Sequence, residues 1–225
     1  MTSLPSLTDS RIVRFLTELA VSDATISHQH FVSRLGSFID FSGSIALSLA
    51  HEELPKLIFQ PGELSKEAIT DNFFKVRRSI VHTIVQSFIP SDDYQRIKLP
   101  VPNTAPITFD LYQRFYLAHQ REMDFRIQNL QLEVRASVSG ISLKLAQLSS
   151  LDVTLNNTLA AHVNRLYAVI PLLLEKRFTL LLSDLKIQPD KRLEQFCNEL
   201  QGLLLAELEL RLLPVIGLID ALNES

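Results

Sequence analysis

From Phe109 to Lys186 the apolar residues recur with a helical period, and any fold for this chain has to accommodate that run. In its second half Leu145, Leu148, Leu151, Leu155, Leu159, Leu166, Val169 and Leu173 follow at intervals of three, three, four, four, seven, three and four, with His162 inside the seven-residue gap. A strand would repeat every second residue, so this spacing predicts a helix. The stripe lies near the 3.5-residue repeat of a coiled coil and can pair with a neighbour over a long distance. Lys144, Gln147, Asp152, Asn156, Asn157 and Asn164 form its wetter side. In the first half Tyr112, Phe115, Tyr116, Met123, Ile127, Leu130, Val134 and Val138 share a broad face, while Arg114, Arg121 and Arg135 share another. Ser137-Val138-Ser139-Gly140 reads as a turn, because glycine supplies the positive φ needed past a helix C-terminus. Ser142 then caps the next helix. So short a connection gives an antiparallel hairpin; the alternative is one helix kinked through Gly140. Pro171 is expected to kink the second helix, since it lacks an N–H and its ring crowds the preceding turn.

The other segments read as helices packed on this hairpin. Asp9 or Ser10 caps a helix over Ser10–Val21, and Ser27 caps a second running to Leu54, with Phe31, Leu35, Phe38, Ile39, Ile45 and Leu49 inward and a bend or a split at Gly43. Ser65-Lys66-Glu67 opens a third, Ser65–Phe88, which Pro90 stops. Pro90, Pro100, Pro102 and Pro106 mark a long connection. After Gln188-Pro189, Asp190 caps a last helix, kinked near its end by Pro214. That helix is apolar nearly all round and needs neighbours on more than one side. The expected architecture is all-α, a multi-helix bundle with a long antiparallel helical hairpin. Residues 1–89 form an N-terminal module, 90–107 a proline-rich connection, and 108–225 the hairpin and C-terminal helix.

Composition narrows the function. The chain has 225 residues, 46% of them hydrophobic, enough for a full core. Six glycines leave little for phosphate-cradling loops, and neither G-x-G-x-x-G nor G-x-x-x-x-G-K-[ST] is present. The net charge is −3, so there is no general attraction to nucleic acid. Residues 111–186 carry nine Lys/Arg against six Asp/Glu, and residues 187–225 three against seven. Cys197 is the only cysteine, so no intrachain disulfide forms and a reducing compartment is compatible. Met1–Leu16 does not read as a secretory signal, and no apolar run approaches the roughly 20 residues of a membrane span.

Chemistry-bearing groups are sparse. His28-x-His30 and His51-Glu52-Glu53 are the only local ligand clusters, fewer than a zinc site requires, and no metal or cofactor is expected. There is no G-x-S-x-G elbow. Glu194 and Glu199 near Cys197 would raise its thiol pKa, and His82, His119 and His162 fall within helical faces. The charges of the last helix, Glu199, Glu207 and Glu209, are mainly acidic, whereas membrane-surface helices carry Lys/Arg. The arginine row and Lys75, Arg77 and Arg78 support nucleic-acid binding only weakly.

Arg14-Phe15-Leu16 with Glu18-Leu19-Ala20, Phe31-Val32-Ser33-Arg34-Leu35-Gly36 and Ile45-Ala46-Leu47 form one set of motifs. Arg114-Phe115-Tyr116-Leu117 with Gln120-Arg121-Glu122-Met123, and Pro171 through Phe178, form another. In these the chain resembles a bacterial family of unknown function, the domain-of-unknown-function family numbered 3348, over most of residues 11–182. The resemblance brings no activity, cofactor or catalytic residue. It implies genes lying near those for proton-channel-like motor subunits and OmpA-like envelope proteins, and so an accessory role in an envelope complex.

The function expected is a non-enzymatic, cytoplasmic helical scaffold or adaptor that binds a protein partner or associates with itself as a homo-oligomer. The alternative is a nucleic-acid-associated regulator. The candidate partner-binding residues are Leu203, Leu204, Leu208, Leu212 and Ile216 on the last helix, with Arg114, Arg121 and Arg135 on the hairpin.

Overall fold

The computed structural model describes residues 39–90, 97–100, 107–184 and 188–225. Among them are five α-helices and no strand: α1 Phe41–Glu53, α2 Lys66–Ser87, α3 Phe109–Ser139, α4 Leu143–Ser183 and α5 Pro189–Glu224, with a 3-10 turn at Leu54–Lys56. The chain is all-α, as its periodicity predicts. The expected first helix, the Ser27 start of the second and His28-x-His30 lie outside the described residues, as does most of 90–107.

Local signals place the helix ends. Asp40 has extended backbone and its Oδ1 accepts from Gly43 N at 2.7 Å, so α1 has its own cap at a position the sequence reading does not single out. Ser65 Oγ accepts from Ala68 N and Ser142 Oγ from Leu145 N, as expected for caps of α2 and α4. Pro189 begins α5, where a missing N–H costs nothing, so Asp190 stands inside the helix rather than before it. Helices α4 and α5 run on through Pro171 and Pro214.

Two compact units emerge, and each draws on several helices. The first contains Ser79–Phe125 and Tyr167–Leu210; the second contains the described part of Ser27–Arg78 with Arg126–Leu166 and Arg211–Ser225. In the first unit α3, α4 and α5 meet through aromatic rings. Phe178 and Phe196 lie 5.0 Å apart, and Tyr112 is 5.5 Å from Phe196 and 5.7 Å from Phe178, at the offset or edge-on angles that aromatic quadrupoles favour. Phe88, just past the end of α2, meets Phe115 edge-on at 5.1 Å. At the far end of α4, Arg192 Nη1 donates to the Leu182 carbonyl at 2.8 Å and satisfies one of the helix's terminal acceptors.

The second unit buries Ile69 and Phe73 of α2 with Ile127, Leu130, Val134 and Val138 of α3, Leu145 and Ala146 of α4, and Leu212, Val215, Leu218, Ile219 and Leu222 of α5. Here α3 and α4 are separate helices joined by a turn. Gly140 N bonds Ser137 O and Ile141 N bonds Val138 O, and across the turn Arg135 pairs with Asp152. The hairpin is antiparallel, and the kinked single helix is excluded.

Gly140 is needed for a reason other than the one expected. Its φ is not in the left-handed region; instead the 57–65 loop crosses directly over it. Gly62 N donates to Gly140 O at 2.8 Å, and a Cβ on Gly140 would stand 2.7 Å from Gly62 Cα and N. Gly43 does the same for α1, where a Cβ would collide with Thr158 Cγ2 of α4. The packed side of α1 is Gly43, Leu47 and Ala50, while Ile45 and Leu49, expected inward, are exposed. Close backbone approach through the small residue decides which face packs. Gly140→Ala is expected to destabilise the protein by about 1–3 kcal/mol in urea unfolding, the typical cost of overpacking. Gly62→Ala, whose Cβ would meet Gly140 Cα at 3.1 Å, is expected to cost less.

Candidate functional site

Two features of the molecule depart from ordinary helical packing. One is a buried polar cluster in the first unit. The other is an exposed face of α4 in the second.

Tyr116 and Gln120 lie one turn apart on α3, so their side chains project from the same face. Glu207 approaches from α5 with no solvent exposure at all. The Tyr116 hydroxyl donates to Glu207 Oε2 in a short hydrogen bond. Gln120 Nε2 lies 3.0 Å from Oε1 and 3.2 Å from Oε2 of the same carboxyl, and 3.5 Å from the Tyr167 carbonyl of α4. A carboxyl group out of water must have its acceptors filled, and these donors fill them. Residue type alone puts Glu207 with Glu199 and Glu209 among the acidic charges of α5. Its spacing says otherwise. Glu207 follows Leu203 by four residues and Leu204 by three, and it shares their buried side.

His119 is one residue from that cluster and is buried too. Its Nε2 is 2.8 Å from Ser87 Oγ, and Ser87 Oγ also donates to Ile84 O at 2.7 Å. The serine has a single proton, and it goes to the carbonyl; the imidazole N–H is then the donor to Ser87. This direction is opposite to the one by which a base activates a serine nucleophile. Burial holds His119 down at about 4, so the ring is neutral at physiological pH. Cys197 is held up at about 11, again by burial. Of the two carboxylates expected to act on it, Glu194 is exposed and Glu199 accepts from Arg177 Nε and Nη2 at 2.8 and 2.6 Å.

The candidate partner-binding residues separate. Leu203, Leu204, Leu208 and Leu212 are fully buried and Ile216 is half-buried, so these four leucines are consumed within the chain, while Leu213 is exposed. The apolar excess of α5 reflects neighbours on several sides in the folded chain. Arg114 and Arg121 are exposed, but Arg135 turns to Asp152, with Nε and Nη2 each 2.7 Å from Oδ2. The three arginines therefore do not act as one row. Among the described residues no group of three His, Cys, Asp or Glu is placed to hold a metal ion. His51, Glu52 and Glu53 are all exposed, and Glu53 pairs with Lys56. No described helix is long and apolar enough to cross a membrane.

The leucine stripe of α4 is where structure and expectation differ most. In the second unit Leu145 is buried, but Leu148 and Leu155 are 37% exposed and Leu166 is 61% exposed. Leu151 and Leu159 are half-buried, and Val153 and Val163 are exposed. In the first unit the buried positions of α4 are Tyr167, Ile170, Pro171, Leu174, Phe178 and Leu181, while Val169 and Leu172 face out. Both sets keep three-and-four spacing, so periodicity alone could not choose between them. From Ser149 to Asn164 the helix carries one charged residue, Asp152, and that one is paired with Arg135. At the N-terminal end of this face lies a cavity of about 350 Å³, lined by Leu54, Leu145, Leu148, Leu151 and Ala221, with Lys144, Gln147 and Glu224 beside them.

Residues 2–224 match the family described as Protein of unknown function (DUF3348), and the chain belongs to that family. No curated protein and no solved structure matches it.

Two outcomes follow from the buried groups. Tyr116→Phe is expected to cost about 1–3 kcal/mol in urea unfolding, because it leaves a buried acceptor short of a donor; adding Glu207→Met should cost less than the sum of the two single changes. His119, whose folded pKa lies below its unfolded value, takes up a proton on unfolding. Its contribution is complete above pH 6.5 and is lost as pH falls toward 4. Between pH 7 and pH 5 that loss is about 2 kcal/mol, and His119→Gln should flatten this part of the stability profile.

Proposed function

We propose that this member of the family is a non-enzymatic helical scaffold that works by binding protein through the exposed α4 face of its second unit. The observation that carries this reading is the composition of that face. A solvent-facing helix is ordinarily rich in Lys, Glu and Arg, and 21% of the whole chain is charged. Ser149–Asn164 instead holds leucine, valine, alanine, threonine, serine, asparagine and His162 around its one ion-paired aspartate. Apolar content with charge depleted is the signature of the centre of a protein interface. The reading moves the binding surface from the tail leucines to α4. The alternative, a nucleic-acid-associated regulator, rests on the exposed Arg114 and Arg121 with Lys75, Arg77 and Arg78, and not on Arg135, which pairs with Asp152.

The same reading places the chain in a bacterial cytoplasm, where Cys197 stays a thiol, as an accessory to an envelope complex. Its test is assembly, with itself or with proteins of its native host, compared between the wild type and a Leu155→Lys/Val163→Lys variant. The wild type is expected to form a stable assembly that the variant loses while keeping its helical circular dichroism. No assembly of either kind at micromolar concentration, or one that the variant retains, would overturn the reading.

A further inference from the structure

The leucine stripe of α4, exposed at Leu148, Leu155, Val163 and Leu166 and half-buried at Leu151 and Leu159, reads the same in both directions. Leu148, Leu151, Leu155, Leu159, Val163 and Leu166 follow at intervals of three, four, four, four and three. At about 100° per residue, Leu148, Leu155, Leu159 and Leu166 lie within about 40° of one another around the helix axis. Reversing the helix about the level of Asn157 brings Leu148 onto Leu166, Leu151 onto Val163 and Leu155 onto Leu159. A two-fold axis between two antiparallel copies sets Leu148 of one against Leu166 of the other and Leu155 against Leu159, while Leu151 and Val163, about 120° apart around the helix, lie on opposite flanks of the seam.

Shape and charge agree with the pattern. Leu166 is the most exposed residue of the stripe, at 61%, and stands as a projection at one end. The cavity lined by Leu54, Leu148, Leu151 and Ala221 is a recess at the other. Leu148 and Leu166 are 18 residues apart, about 27 Å along the helix, and five whole turns bring them to one face. In an antiparallel pair each copy's Leu166 faces the other's recess. Arg165, exposed beside Leu166, then approaches Glu224, exposed beside the recess. Arg165 and Glu224 are opposite in sign and stand at opposite ends of the stripe, so a second copy reversed on the first meets each charge with its complement.

We infer that two copies of this chain pair antiparallel along the leucine stripe of α4 around a two-fold axis midway between Leu155 and Leu159, each Leu166 seated in the Leu54–Leu148–Leu151–Ala221 recess of the other. This rests on the scaffold reading and makes its partner a second copy. The helix pair buries on the order of 1,000 Å² in total, near the threshold for a specific interface, so the dimer is a concentration-dependent one.

The test uses the purified full chain. Sedimentation across a concentration series is expected to show a monomer–dimer equilibrium for the wild type. Leu166→Glu should shift it at least tenfold toward monomer with unchanged thermal unfolding, since the side chain is already exposed. Arg165→Glu should weaken the dimer, and adding Glu224→Arg should restore it. A chain carrying both Leu148→Cys and Leu166→Cys, mildly oxidised, should give interchain 148–166 links by peptide mass. A dimer that ignores Leu166→Glu, or links joining 148 to 148, would overturn the antiparallel pairing while leaving self-association in place. A purified chain monomeric at every concentration would overturn the second copy as partner, and the scaffold reading would then stand or fall on host proteins.

Discussion

Glu207 sets the terms on which three helices of the first unit meet. A carboxyl group without solvent contact has to find donors inside the protein, and here they come from two turns of α3, with Gln120 also touching the backbone of α4. Leucine contacts around it are tolerant of a sliding helix; hydrogen bonds at these distances are not. The aromatic cluster of Tyr112, Phe178 and Phe196 supplies area, and the Glu207 cluster supplies register. Phe115 and His119 extend this ordered region toward the end of α2, where Ser87 closes it.

The parts of this architecture most legible in the sequence are those governed by local chemistry. Ser65 and Ser142 cap helices because a side-chain oxygen near free N–H groups does so in almost any context. The face Tyr112, Phe115, Tyr116, Met123, Ile127, Leu130, Val134 and Val138 is buried as its spacing requires. The turn at Gly140 is found where expected, although close approach by Gly62 is what demands glycine, and no local signal announces a loop arriving from 78 positions earlier.

What stayed hidden depended on choosing between two faces of one helix. The α4 segment has leucines on several sides, and its buried set in the first unit, from Tyr167 to Leu181, is as periodic as the stripe that faces out. The choice was settled by aromatic partners on α3 and α5, which a single-helix reading does not see. Much the same holds for α5, where an apolar surplus that suggests stickiness turns out to be centrality. Arg135 shows the converse: its seven-residue kinship with Arg114 and Arg121 is sound helical geometry, yet Asp152, just across the turn, claims it.

The backbone contact between Gly62 and Gly140 bears on how the chain reaches this state. Helices α3 and α4 meet through residues close in sequence around their turn, the sort of contact that forms early because little chain has to be closed. The Gly62–Gly140 hydrogen bond closes a far longer loop and requires the turn to exist first. The hairpin is thereby a template, and the 57–65 loop a late arrival latched onto it. A chain arrested before that step would have the α3–α4 hairpin in place and α1 still unmoored.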